Sequence, residues 1–132
     1  MRLLIVRHAE AAPGQPDELR RLTRRGRGQA RELGKRLRAQ DLTPDAVVTS
    51  PLLRARETAE ALELGEPEVD TRLAPGATAD DLCDAARGRG GTVVLVGHQP
   101  DCGRAVAVLT GGVAPAFAPC AYVLVDLPDG AR

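Results

Sequence analysis

LLIVRH, residues Leu3–His8, decides how this chain is read. Four apolar residues in a row form a run short enough to be a strand covered on both faces. The run ends abruptly on a cation and an imidazole. The same construction recurs at VVLVGH (Val93–His98), and the two stretches hold the only two histidines of the chain. A third short run, AVVT (Ala46–Thr49), leads into SPLLR (Ser50–Arg54). Between these runs lie segments of helical period. Thr23 stands as the N-cap of a helix reaching about Arg38, with Ala30, Leu33, Gly34 and Leu37 on one stripe and Gly26 and Gly28 weakening its first turns. Ser50-Pro51 reads as N-cap and first-turn proline of a helix to about Leu64. Thr78 and Asp81 form a capping-box start for a third helix, Ala79–Arg87, and Pro100-Asp101 open a fourth to about Leu109. Val69 falls in an edge strand, and YVLVDL (Tyr122–Leu127) is the last strand. The spacing therefore predicts an α/β fold: a three-layer sandwich whose largely parallel central sheet is flanked by helices.

Composition narrows the function. The 132 residues suit one domain, with no linker, repeat or low-complexity tract, and the reading is a single domain over residues 1–132 without a lid insertion. The formal net charge is zero, so no global field draws the chain to nucleic acid or anionic lipid. One Phe, one Tyr and no Trp leave no platform for base stacking. Three cysteines, Cys83, Cys102 and Cys120, form no CxxC pair, and two histidines supply no usual zinc spacing. There is no signal-peptide pattern, and no apolar run approaches about 18–20 residues. A cytoplasmic monomer with reduced thiols and no cofactor or metal is expected.

In open α/β sheets ligands bind beyond the carboxyl ends of the strands. Each of these residues taken singly has an ordinary structural role: a packed histidine, a solvated arginine. Taken together, Arg7, His8, Arg54 and His98 arrive from three separate segments at one sheet edge, provided the three strands are neighbours. A helix N-terminus after Ser50 adds free N–H groups and the positive end of a dipole. That combination predicts a phosphate site.

The Arg7-His8 pair, TSPLLRARETA (Thr49–Ala59) and VLVGHQP (Val94–Pro100) together resemble the histidine phosphatase superfamily, whose fold is phosphoglycerate mutase-like. The short chain, LTRRGRGQARELGKRL (Leu22–Leu37) and LAPGATADDL (Leu73–Leu82) resemble its small SixA-type phosphohistidine phosphatase branch. The resemblance runs from Met1 to about Leu127. It implies that His8 is the nucleophile, attacking phosphorus through one neutral ring nitrogen while the other donates to a backbone carbonyl. Arg7, Arg54 and His98 would hold the phosphoryl oxygens, His98 most usefully when protonated, and the two arginines would lower the pKa of His8.

Two positions depart from the family pattern. Ala9 stands where Arg-His-Gly is usual, and Gln99 stands where some branches carry an acidic residue after the second histidine. The candidates for a general acid are Asp17 first, then Glu10 and Asp101. A site without a dedicated acid suits phosphohistidine, which can leave as neutral imidazole, better than an alkoxide. Only 43 residues separate Arg54 from His98, too few for a lid, and an open site suits a phosphorylated protein such as a histidine phosphotransfer domain. The alternatives are a phosphomonoesterase or mutase acting on small phosphorylated metabolites, and a phosphate-binding module without catalysis.

Other signals are weaker. Cys83 to Arg89 matches C-x5-R, the mark of cysteine phosphatases, but Cys83 falls inside a capped helical pattern. Gly26-Arg27-Gly28 follows no strand and is no dinucleotide fingerprint. RRGRG (Arg24–Gly28) and RGRGG (Arg87–Gly91) resemble RNA-binding pieces and read as solvated surface. Cys102, near a helix start, is either a buried inert thiol or, with a lowered pKa, a redox switch.

Overall fold

The computed structural model describes residues 1–128. Five strands, β1 (Arg2–Arg7), β2 (Ala46–Thr49), β3 (Pro67–Val69), β4 (Thr92–Gly97) and β5 (Tyr122–Asp126), form one sheet in the order β3-β2-β4-β1-β5. All pairs are parallel except β1 with β5, which closes one edge antiparallel. Four helices, α1 (Arg24–Ala39), α2 (Leu53–Leu62), α3 (Ala79–Ala86) and α4 (Asp101–Thr110), cover the two faces.

The alternation of strand side chains explains the layering. Leu3, Ile5, Val93 and Leu95 pack with Leu82, Ala105, Val106 and Phe117 on the α3/α4 face. Leu4, Val6, Val94 and Val96 pack with Leu33, Leu37, Ala59 and Leu62 on the α1/α2 face. Both sides of β1 and β4 are dry, which is why these strands read as unbroken apolar runs.

Two glycines of α1 earn their place by close approach. A Cβ on Gly26 would stand 2.1 Å from the Glu10 carbonyl oxygen, and one on Gly34 would stand 2.1 Å from that of Leu62. The glycines expected to weaken the helix thus differ. Gly26 lets α1 lie against the segment after His8, whereas a Cβ on Gly28 would meet nothing within 4 Å.

The start of α2 differs from the sequence reading. The helix begins at Leu53 with Leu52 as N-cap and no side-chain cap, and it ends at Leu62, with Glu63 at φ 50 in the left-handed region. Ser50 and Pro51 stay outside it. The Ser50 hydroxyl instead accepts from Leu52 N–H at 3.2 Å and lies 2.8 Å from a ring nitrogen of His98. Elsewhere Thr23 caps α1 through Gly26 N–H, and Thr78 with Asp81 completes the expected capping box of α3.

Candidate active site

The sheet order makes β2, β4 and β1 neighbours, which is the condition the site required. Their carboxyl ends are level: Arg7 pairs with Gly97, and Thr49 with Val96. The pairing continues one residue beyond the strands, where His8 N–H donates to Gly97 O and Ser50 N–H to Val96 O, both at 3.0 Å. His8 and His98 therefore leave the sheet side by side, with ring centroids 5.3 Å apart. They are 9% and 5% exposed, and Arg54, in the first turn of α2, is 7% exposed.

The His8 ring is oriented by its own backbone. Nδ1 lies 2.7 Å from the Ala9 carbonyl oxygen, an acceptor only, so Nδ1 carries the proton and Nε2 keeps its lone pair. Ala9 is fixed in turn: its N–H donates to Thr58 Oγ1 at 3.0 Å, and that hydroxyl donates to the Arg54 carbonyl at 2.8 Å. Alanine in place of glycine carries no strain, since Ala9 is not among the residues with positive φ.

The pKa of His8 is lowered to about 4. Burial is the main cause; the Ala9 hydrogen bond opposes it, and the charges of Arg54 and Arg7 add to it. The arginines lower it as the resemblance implies, but burial lowers it more. His98 is also lowered to about 4, by burial and then by His8 and Arg54. It is therefore neutral near pH 7, without the proton that would make it most useful as a donor.

The arginines are anchored at their tips. Arg7 Nη1 donates to the Phe117 carbonyl at 2.9 Å. Arg54 Nη1 donates to the Asp17 carbonyl at 2.9 Å, and Nη2 to Asp17 Oδ2 at 3.2 Å. Three buried polar atoms at this sheet edge have no hydrogen-bond partner among the described residues: Arg7 Nε, Arg54 Nε and His98 Nδ1. Buried polar atoms are rarely left so; the two guanidinium N–H groups are donors suited to an anion, and His98 Nδ1 is a donor in one of its two neutral tautomers.

A family model for the histidine phosphatase superfamily (branch 1) matches residues 3–76. The chain belongs to the histidine phosphatase superfamily. It is 40% identical over 114 residues to an uncharacterised protein of Picosynechococcus, covering 78% of this chain and 69% of that one. It is 42% identical over 69 residues to the mitochondrial serine/threonine-protein phosphatase Pgam5 of Drosophila mojavensis, covering 52% of this chain but only 24% of the relative. Among solved structures, the protein histidine phosphatase SixA complexed with tungstate superposes with a TM-score of 0.87 at 29% identity, covering 96% of this chain and 88% of that one. A mutant phosphoserine phosphatase from Entamoeba histolytica, at 16% identity and TM-score 0.77, shares the fold over 98% of this chain and 92% of its own. This histidine phosphatase is thus a phosphatase of SixA type with a phosphoglycerate mutase-like fold.

Of the residues singled out in its sequence, Arg7, His8, Arg54 and His98 come together. Asp17 reaches them over the loop of residues 9–22, and Arg20 and Arg54 hold its carboxyl below the usual carboxylate range. Glu10 turns away and accepts from the Thr23 hydroxyl at 2.8 Å. Asp101 is buried and accepts from Gly76 N–H and Ala77 N–H. Cys102 is buried, and burial pushes its thiol up to about 12, opposite to the lowered pKa that a redox switch calls for. Cys83 is buried within α3 rather than in a loop after a strand.

Sequence reasoning missed three partners. Ser50 was assigned to a cap rather than to His98. Thr58 was passed over, although it lies one turn after Arg54 on the stripe of Ala55, Ala59 and Leu62. The Phe117 carbonyl is backbone and leaves no trace in residue type.

Proposed function

We propose that this phosphatase works through covalent catalysis at His8, and that its substrate is phosphohistidine on a protein. The observation that carries the reading is the orientation of His8: Nδ1–H is tied to Ala9 O, and a pKa of about 4 keeps Nε2 unprotonated at neutral pH. The Nε2 lone pair attacks phosphorus as the P–N bond of the substrate breaks. The departing imidazole takes that electron pair and leaves neutral, provided its other nitrogen carries a proton. Water then attacks the phosphorylated His8, the new P–N bond breaks back to the ring, and the water gives up one proton.

Arg7 Nε, Arg54 Nε and His98 Nδ1 are the donors for the non-bridging oxygens. For His98 this requires the Nδ1–H tautomer, which a Ser50 hydroxyl donating to Nε2 selects. Asp17, ionised between two arginines, suits the acceptance of the water's proton better than the protonation of a leaving group. Within this reading residues 1–132 act as one domain, and the site needs no lid over a phosphorylated protein.

A second reading, dephosphorylation of phosphoserine or phosphothreonine on a protein, is favoured by the similarity to Pgam5. It asks for a proton on the leaving alkoxide, which a carboxyl held below its usual range supplies poorly.

The test is metal-free single turnover on a phosphorylated histidine phosphotransfer domain, quenched in alkali, with wild type beside His8→Ala. A labile phosphoenzyme and phosphate release in wild type, both lost in the variant, are expected. Release by His8→Ala at the wild-type rate would overturn the nucleophile. Faster turnover of a phosphoserine protein would overturn the substrate.

A further inference from the structure

The chain is neutral overall, but its charge is sharply divided. Between Arg20 and Arg38 stand nine cations and one carboxylate, Glu32, a net of +8 balanced by −8 elsewhere. Most of this charge rides on α1. Arg24, Arg27, Arg31, Lys35 and Arg38 recur at helical spacing and form one stripe. At 1.5 Å per residue it runs about 21 Å. Arg27 is tied to Glu57, and Arg38 to the carbonyls of Leu62 and Glu63. Arg24, Arg25, Arg31, Lys35 and Arg36 are exposed and make no ion pair among the described residues.

This arrangement works against the helix that carries it. The first turn of α1 holds no acidic residue, so Arg24, Arg25 and Arg27 face the positive end of the dipole. Arg27, Arg31 and Lys35 are like charges four residues apart, which repel. The stripe also starts beside the segment that follows His8. Thr23 N–H donates to the Glu10 carbonyl, Gln29 Oε1 accepts from Glu10 N–H, and Gly26 lies against the same backbone, two residues past His8.

We propose that the basic stripe of α1 docks an acidic face of the phosphoprotein substrate and guides its phosphohistidine to His8. The inference rests on the protein-phosphohistidine reading and deepens it. A protein substrate held at its phosphoryl group alone makes few contacts with this chain. Charge complementarity beside the site supplies orientation and encounter rate. A polyanionic nucleic acid fits less well, because the rest of the chain carries −8 and there is one Phe, one Tyr and no Trp to stack on bases.

The test uses two synthetic phosphohistidine peptides, one flanked on each side by ten residues rich in Glu and Asp, the other by Ser and Gly. The variant is Arg31→Glu with Lys35→Glu, two exposed positions outside the catalytic machinery, with its fold checked by circular dichroism. At low salt, wild type should prefer the acidic peptide by about ten-fold in kcat/KM, through KM, and 0.5 M salt should erase the preference. The variant should lose the preference while its turnover of the neutral peptide is unchanged. Equal kcat/KM for both peptides in wild type, or a preference kept by the variant, would overturn the proposal. If neither peptide is hydrolysed, the substrate reading fails. Docking is then decided by fluorescence anisotropy of the unphosphorylated acidic peptide: about ten-fold weaker binding by the variant sustains it, and equal binding sinks it. A single-stranded RNA that binds the stripe more tightly than the acidic peptide would overturn the choice of a protein partner.

Discussion

Lowering the pH should destabilise this protein well before its carboxylates titrate. His8 and His98 are 9% and 5% exposed, and each is lowered from 6.5 to about 4. Both bind a proton more weakly in the folded state than in the unfolded chain. Between pH 6.5 and about 4 the unfolded chain therefore holds more protons, and stability falls as the pH falls. Above pH 6.5 the effect is absent; by pH 5 each histidine costs about 2 kcal/mol, and the two together about 4 kcal/mol. The carboxyls of Asp17, Glu57 and Asp70 are lowered and act in the same direction, but only at more acid pH. Urea unfolding at half-unit steps from pH 8 to 5 measures the loss. A His8→Asn/His98→Asn double variant should flatten the curve over that range. NMR of the imidazole Cε1–H signals locates both titrations independently. A wild-type stability constant between pH 8 and 5, or imidazoles titrating near 6.5, would refute the burial argument and with it the neutral His8 that the proposed mechanism requires.

Three further outcomes follow from the packing around the site. Thr58→Val leaves Ala9 N–H unpaired in the interior and should cost about 1–3 kcal/mol by urea unfolding. Because Ala9 O orients His8, its kcat should also fall by roughly 100-fold, whereas Thr58→Ser should keep most of the activity. Ser50→Ala strips His98 Nε2 of its partner and should lower kcat/KM by about 10–100-fold, at a stability cost of about 1–3 kcal/mol. Gly34→Ala drives a Cβ into the Leu62 carbonyl and should destabilise by about 1–3 kcal/mol, while Gly28→Ala, in open space, should gain up to about 1 kcal/mol; chemical denaturation separates the two.

The layers and the edge that holds the candidate site were legible in the amino-acid pattern. LLIV and TVVLV are apolar without alternation because both faces of β1 and β4 are covered, and that pattern is local and legible. A histidine directly after each such strand can only emerge at the carboxyl edge, so Arg7, His8 and His98 were readable as a group. Arg54 was readable from its place just after a third strand. Tertiary structure alone decided what those groups can do. The order β2-β4-β1 makes them neighbours, and it is set by long-range pairing that no local pattern encodes. Burial, more than the nearby arginines, fixes the protonation of both imidazoles, and burial is a property of the packed whole. Ser50 looked like a helix cap because its neighbours favour one; a ring 48 residues away captured its hydroxyl instead. The partners that hold His8 and Arg7, the carbonyls of Ala9 and Phe117, are backbone atoms that every residue carries, so only the fold could assign them.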